Sequence, residues 1–374
     1  MMRKYYIDHI RSFTILLVVI YHVIYIFNSV IRDGVIGPVT DFHGQDVVQY
    51  LLYPWFMMIL FLISGICSKY YLDRHTDKEY RRARTRKLLI PSTLGLLVIG
   101  WMQGYFNMAI SHAFEQMDLS AIPKVVLYLI MCVSGIGVLW TIQVMWILSM
   151  VLLLIRKLEK GRLSGWMEHW LDQCNNEMLL LILVLLVIPA WGCAQILNTP
   201  VIAVYRFGIY GFAFLLGYYV FSWEKVTDCL ARFCIPLIIV AAALGIAYTW
   251  HDWGQNYAVA PSVDSPLAIS YGYIMCLAIP GGMKRWCNRE SEAGDRLASK
   301  SFGLYIFHYL PLSACAYFLY KYTELPGVVL YLLTAIAAFG GALLLYEIFS
   351  RIPVLRFFVL GIKKEKKALT MKSY

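Results

Sequence analysis

Long apolar runs separated by short polar breaks extend from Ser12 nearly to Phe349. A helix that crosses a bilayer needs about 20 mostly apolar residues. Ten stretches qualify, near 12–31, 50–67, 88–108, 138–155, 178–197, 204–222, 233–250, 266–283, 301–320 and 327–349. The pattern predicts an all-α, polytopic integral membrane protein: one transmembrane domain over 1–360, followed by a basic tail over 361–374. Ile122 to Val133 is apolar but short, and Ser134, Gly135 and Gly137 follow it, so it reads as re-entrant or interfacial. The first run is too long for a signal-peptide core and lacks a small-residue cleavage site, which predicts a retained helix.

Basic residues then set an orientation. Lys69, Arg74, Lys78, Arg81, Arg82, Arg84, Arg86 and Lys87 follow the second run, and Arg156, Lys157, Lys160 and Arg162 follow the fourth. Lys225 and Arg232 follow the sixth, Lys284, Arg285, Arg289, Arg296 and Lys300 the eighth, and a lysine-rich tail the tenth. The other connections hold little more than Arg32, Lys124 and Lys321. Cytoplasmic loops are enriched in Lys and Arg, so both termini are expected in the cytoplasm, in a multi-pass protein of the cell membrane.

Composition agrees. The 374 residues are 60% hydrophobic and only 15% charged, with a mean hydropathy of +0.63. A net charge of +10 could suggest nucleic acid, but its distribution follows topology, and no nucleic-acid partner is expected. Nine cysteines, an odd number without a CxxC pair, read as small core residues and not as a disulfide or metal framework. P-loop, GxGxxG, HExxH and GxSxG motifs are absent, which leaves ATP hydrolysis, nicotinamide chemistry and zinc hydrolysis without support.

Ionisable side chains at bilayer depth are expensive and need a reason. His22 falls in the middle of the first run and His308 inside the ninth. Arg11 lies eleven residues before His22, about three turns and roughly 16 Å of helix, so the two share a face. Asp8 precedes Arg11 by three residues and can pair with its guanidinium. The stripe suggests an interior polar path; a snorkelling arginine plus a histidine hydrogen-bonded between helices is the alternative.

Several segments resemble the membrane acyltransferase-3 family. They are Tyr6-Ile-Asp-His-Ile-Arg-Ser with ten residues between Arg11 and His22, Phe56-Met-Met-Ile-Leu-Phe-Leu-Ile-Ser-Gly65, Arg84-Thr-Arg-Lys-Leu-Leu-Ile-Pro91 and Ser301-Phe-Gly-Leu-Tyr-Ile-Phe-His308. Together with the ten-helix plan, they cover nearly the whole chain. The resemblance implies transfer of an acyl group, acetyl or succinyl, from cytoplasmic acyl-CoA to a hydroxyl of an extracytoplasmic glycan or lipid-linked glycan. No cofactor is implied beyond acyl-CoA as co-substrate. His22 would be the base and Arg11 would position the donor. Leu139-Trp140-Thr-Ile-Gln-Val-Met-Trp146 lacks the acidic pair of one branch and looks more like the glucan-modifying succinyltransferases, leaving the partner that orients His22 unidentified. Lys87 stands where many relatives have a second arginine.

Arg84, Arg86 and Lys87 either receive the phosphates of coenzyme A or serve topology alone. Ser301, Tyr305 and His308 share nearly one face and could line the donor pocket, or His308 could simply be satisfied by a neighbouring helix. Arg206, beside Tyr205, either meets an acidic acceptor or anchors at the interface. The loop Trp250-His-Asp-Trp253-Gly-Gln-Asn-Tyr257 either stacks on a sugar or belongs to an aromatic belt. Two other functions remain open on these residues: a transporter or flippase using a buried Arg/His path, and a non-catalytic binding protein.

Overall fold

The computed structural model describes residues 4–31, 34–199 and 204–362, and the basic residues Arg32 and Lys363 to Lys372 lie outside them. The protein is 79% helical, with no strand among the described residues. Helices α1 (Tyr5–Tyr25), α2 (Gly44–Leu72), α3 (Asp77–Ile110) and α5 (Gly137–Glu159) flank a short α4 (Lys124–Ser134). An amphipathic α6 (Arg162–Gln173) leads to α7 (Asn176–Ala194), α8 (Phe207–Phe221) and α9 (Glu224–Arg232). Next come α10 (Cys234–Asp252), α11 (Pro266–Cys287), α12 (Glu292–Phe307), α13 (Tyr309–Tyr322), α14 (Gly327–Arg351) and α15 (Pro353–Leu360).

Each of the ten apolar stretches contains helix. Eight give helices long and apolar enough to cross a membrane, α12 and α13 together form a ninth that is bent by 51°, and α8 is shorter. The bend has a cause in Pro311. Proline has no N–H for the carbonyl four residues back, here Phe307, and its ring crowds that carbonyl. His308 therefore sits at a break and not inside a continuous helix. The eleven residues of α4 reach only about 16 Å, too short to span.

The first helix also differs from its apolar run. It begins at Tyr5 and ends at Tyr25, which puts His22 in its last turn and not its middle. Asn28 explains the stop, because its side-chain oxygen takes the N–H groups of Val30 (2.8 Å) and Ile31 (2.7 Å). A side chain that captures backbone donors in this way competes with helix continuation.

Most of α2 is buried, 78% of its apolar window against 22% in α7 and α14. Glycines let neighbouring backbones approach it closely. A Cβ on Gly65 would lie 2.0 Å from the Phe214 carbonyl oxygen, and one on Gly217 would lie 2.1 Å from that of Leu62. Small residues at helix crossings are the usual device where no hydrophobic effect drives helices together.

The charged ends of the helices gather at one end of the bundle. Glu224 at the start of α9 pairs with Lys4 before α1 and with Lys284 of α11, 2.5 Å away. Lys284 also reaches Asp228 at 2.7 Å. Arg156 of α5 approaches Asp77 of α3 at 3.5 Å, and Lys300 of α12 approaches Glu347 of α14 at 3.7 Å. At the other end Tyr50 of α2 donates to Gln255 O after α10, and Arg206 before α8 pairs with Asp264 before α11.

Candidate active site

In α1, Arg11 donates to Asp8 at 3.0 Å, one turn apart, and both remain half-buried near the basic end. His22, eleven residues on, faces a different environment. Its Nδ1 lies 2.7 Å from Val18 O, a carbonyl that can only accept, so this nitrogen carries the proton. His308 Nε2 lies 3.3 Å from the same Nδ1. His308 holds its own Nδ1 2.8 Å from Tyr305 O and 3.1 Å from Leu304 O, which leaves its Nε2 as the acceptor. Carbonyls of the last turn of α12 thus fix one imidazole, and that imidazole helps fix the other. His22 is left with its Nε2 lone pair to offer. This is the orienting contact that no carboxylate in α5 supplies.

His22 lines a cavity of about 380 Å³ with Tyr21, Tyr25, Tyr53, Phe56, Trp140, Tyr210, Tyr305 and Tyr309. Tyr21 and Tyr309 each hold their rings 5.1 Å from the imidazole. Asn107, Ser111 and Ser134 complete the polar lining, and no formally charged residue is among the described lining residues. Gly34, Ser111, Val204 and Ala258 also border it, and they belong to connections at the end away from Lys4 and Glu224. The cavity is therefore reached from the end opposite the basic cluster. Its size is usual for a small-molecule site, and aromatic faces beside hydroxyls suit stacking and hydrogen bonding to a sugar.

At the basic end, Lys87 feels the charges of Arg11, Arg84 and Arg86, and Cys67 lies among Arg11, Arg84 and Lys87. Arg84 is engaged with α2, donating to Ser68 Oγ at 2.6 Å and Ser64 O at 3.3 Å. Lys87 stands over the Phe302 ring at 5.6 Å, and Arg86 Nε is buried without a hydrogen-bond partner among the described residues. The π-type turn Thr85–Leu89 that carries Arg86 and Lys87 precedes Pro91, which again removes a donor from the helix ladder.

The remaining residues singled out from the sequence fall outside the cavity, Tyr305 excepted. Ser301 is buried and donates to Ala298 O of its own helix at 2.9 Å. Arg206 is 7% exposed and binds Asp264 and, at 3.3 Å, Val263 O. Trp250 is 88% exposed, whereas Trp253 rests against Tyr50 with ring centres 5.4 Å apart. Tyr305 is in the lining, and its hydroxyl donates to Val138 O at 2.6 Å. The tyrosines at 53, 210 and 309 and Asn107 come from helices distant in the chain and carry no local signal, whereas Tyr21 and Tyr25 flank His22 on α1 but look like ordinary apolar-run aromatics until the fold gives them a cavity. No metal-holding cluster of His, Cys, Asp and Glu occurs among the described residues.

A family model described as an acyltransferase domain, Acyl_transf_3, matches residues 4–347. Proteins called glucans biosynthesis protein C from Salmonella heidelberg (strain SL476) and Salmonella schwarzengrund (strain CVM19633) are each 24% identical to the chain. The match covers 98% of this chain and 97% of theirs. No solved structure matches the chain significantly.

Proposed function

From the chain's membership of the acyltransferase-3 family, as a multi-pass membrane acyltransferase, we propose O-acyl transfer from cytoplasmic acyl-CoA to a glycan hydroxyl on the far side of the cell membrane. The basic end is the cytoplasmic one on this reading, in line with the preference of cytoplasmic loops for Lys and Arg. One observation carries the proposal. His22 offers Nε2 to an uncharged, aromatic cavity open at one end, while Arg11 stands about 16 Å away along α1 toward the other.

Coenzyme A has phosphates at one end and a thioester at the tip of a long flexible arm. Its phosphates suit Arg11, Arg86 and Lys87, and its thioester then reaches toward His22. The acceptor hydroxyl enters from the opposite end and stacks its sugar on the tyrosines. His22 Nε2 takes the hydroxyl proton as the oxygen attacks the thioester carbonyl. The C–S bond breaks, the proton passes from the imidazolium to the thiolate, and an ester and free coenzyme A result. His308 Nε2 accepts the Nδ1 hydrogen bond throughout and steadies the cation that forms between the two steps.

Purified protein supplied with radiolabelled acetyl-CoA and a glucan should transfer label to the glucan. His22→Ala should lower the rate by about 10²–10⁴-fold, the usual contribution of general-base catalysis. Equal labelling by the two proteins would remove His22 from the chemistry.

A further inference from the structure

Attack on a thioester puts negative charge on the carbonyl oxygen, and that oxygen needs hydrogen-bond donors aimed at it. A chamber walled by helices has few backbone N–H groups to spare, because all but the first four of each helix are spent within it. Side chains must serve instead. Four rings pack on His22: Tyr21, Tyr25, His308 and Tyr309, with ring centres 5.1, 6.0, 5.0 and 5.1 Å away. The Tyr21 hydroxyl lies 3.3 Å from that of Tyr257 and is shared with it. Tyr25 is stacked on Tyr21 and is also engaged. His308 has its proton held by the carbonyls of Leu304 and Tyr305. Tyr309 differs from all three. Its hydroxyl has no hydrogen-bond partner among the described residues and is not one of the sealed, orphaned atoms of the interior, so it opens to the chamber that the residue lines. Successive residues of a straight helix point about 100° apart; across the 51° bend, His308 and Tyr309 both meet the His22 imidazole. Tyr53 and Tyr210, on the same chamber, feel the Arg206 and Asp264 pair instead.

We infer that Tyr309 is a second catalytic residue, whose O–H donates to the thioester carbonyl oxygen as that oxygen becomes an oxyanion. This rests on the acyl-transfer reading and adds a group to it. As the acceptor oxygen bonds to the carbonyl carbon and His22 Nε2 takes its proton, the C=O π pair moves onto the carbonyl oxygen. Tyr309 shares its proton with that oxygen and keeps it. The C=O bond then re-forms, the C–S pair leaves with sulfur, and the thiolate takes the proton from the imidazolium. Nothing is oxidised or reduced, and Tyr309 ends as it began. A neutral phenol suits a chamber whose described lining holds no formal charge, because it meets a transient anion with a dipole. An arginine in its place would stand as an unpaired buried cation between turnovers, which is costly.

The test uses the full chain in liposomes with radiolabelled acetyl-CoA and a glucan, and compares wild type, Tyr309→Phe and a variant with a ring-fluorinated tyrosine at position 309. Phenylalanine keeps the ring and its packing, so the Tm in detergent should stay close to that of wild type. Tyr309→Phe should lower kcat by about 10²–10³-fold, the usual cost of losing one oxyanion donor. Its KM for acetyl-CoA should change little, since the bond is made only in the transition state. The curve of rate against pH should keep its shape, because His22 still sets it. A fluorinated phenol is the stronger donor, and that variant should turn over at least as fast as wild type at a pH where the phenol stays protonated. Water attacks the same carbonyl, so hydrolysis of acetyl-CoA without glucan should fall by a similar factor in Tyr309→Phe. Equal kcat for Tyr309→Phe and wild type, a change confined to KM, or loss of one limb of the pH curve overturns the assignment while acyl transfer stands. If wild type hydrolyses acetyl-CoA but labels no glucan, the transfer reading fails, and the hydrolysis rates of the two proteins still decide the role of Tyr309. If wild type does neither, both fall.

Discussion

An imidazole acts as a base through one nitrogen only, and the other must be made to keep its proton. In this protein that constraint comes from a backbone carbonyl, Val18 O, and from a second imidazole, His308. His308→Ala should therefore reduce turnover by about 10–100-fold, the usual cost of losing an outer-shell partner. His308→Gln keeps an acceptor oxygen near Nδ1 and should recover part of the loss in kcat with little change in KM, measured with the labelled acetyl-CoA assay. A role in filling space alone would leave Gln and Ala alike. The spacing of Arg11 and His22 was readable from the sequence because both lie on one helix. The partnership of His22 with His308 was not, since 286 residues separate them and only tertiary packing joins their helices. Ser301 and Arg206 illustrate the opposite error of emphasis: their chemistry is conspicuous in the sequence, and the fold directs it to local carbonyls and to Asp264.

Helices are positioned here by what their backbones can tolerate. Gly104 of α3 faces α4 so closely that a Cβ would lie 1.7 Å from Met131 O. Gly104→Val should destabilise the protein by about 1–3 kcal/mol, the range for overpacking, seen as a lower Tm in detergent. Gly192, where an added Cβ would meet nothing within 4 Å, serves as the control, and Gly192→Ala should stay within about 0.5 kcal/mol. Apolar length alone located all eight helices long enough to cross a membrane and left out the short α4, but it also counted α8, whose fifteen residues Phe207–Phe221 fall short of that length. It did not reveal the break at His308, although Pro311 was in plain view, because hydropathy averages over a proline. Nor did it give the end of α1, where Asn28 and not polarity stops the helix.

Across the whole bundle, charge gathers at one end, as the alternation of basic connections in the sequence requires. Which compartment that end faces is a matter for experiment. Single cysteines placed at Lys160 and at Ser265 in a cysteine-free background should differ in labelling by an impermeant maleimide on intact cells, with only the Ser265 position reacting if the basic end is cytoplasmic. The network at that end also has a pH signature. Partial desolvation opposes the charge on Glu224, yet hydrogen bonds from Lys284 and Lys4 hold its carboxyl below the usual carboxylate range. A carboxyl whose folded pKa is depressed adds stability above its unfolded value, and that stability is lost as pH falls through the folded one. Glu224 is half exposed, so screening limits the effect to less than about 1 kcal/mol. The Tm of wild type should exceed that of Glu224→Gln at pH 7, and the two should converge as pH falls below about 4.5.

The uncharged lining of the His22 chamber matters electrically as well as chemically. A membrane that sustains a potential cannot tolerate a conducting hole, and on the proposed reading a chamber reached from one side and a donor site on the other come close to making one. Moving a bare ion into a low-dielectric space without a counter-charge costs several kcal/mol even after relaxation. Tyrosine and serine hydroxyls, the His22 imidazole and the Asn107 amide can hydrogen-bond a neutral polar molecule but offer no fixed charge to a sodium ion or a chloride. The same uncharged lining therefore insulates, and on the proposed reading an acyl group would pass between compartments without passing current.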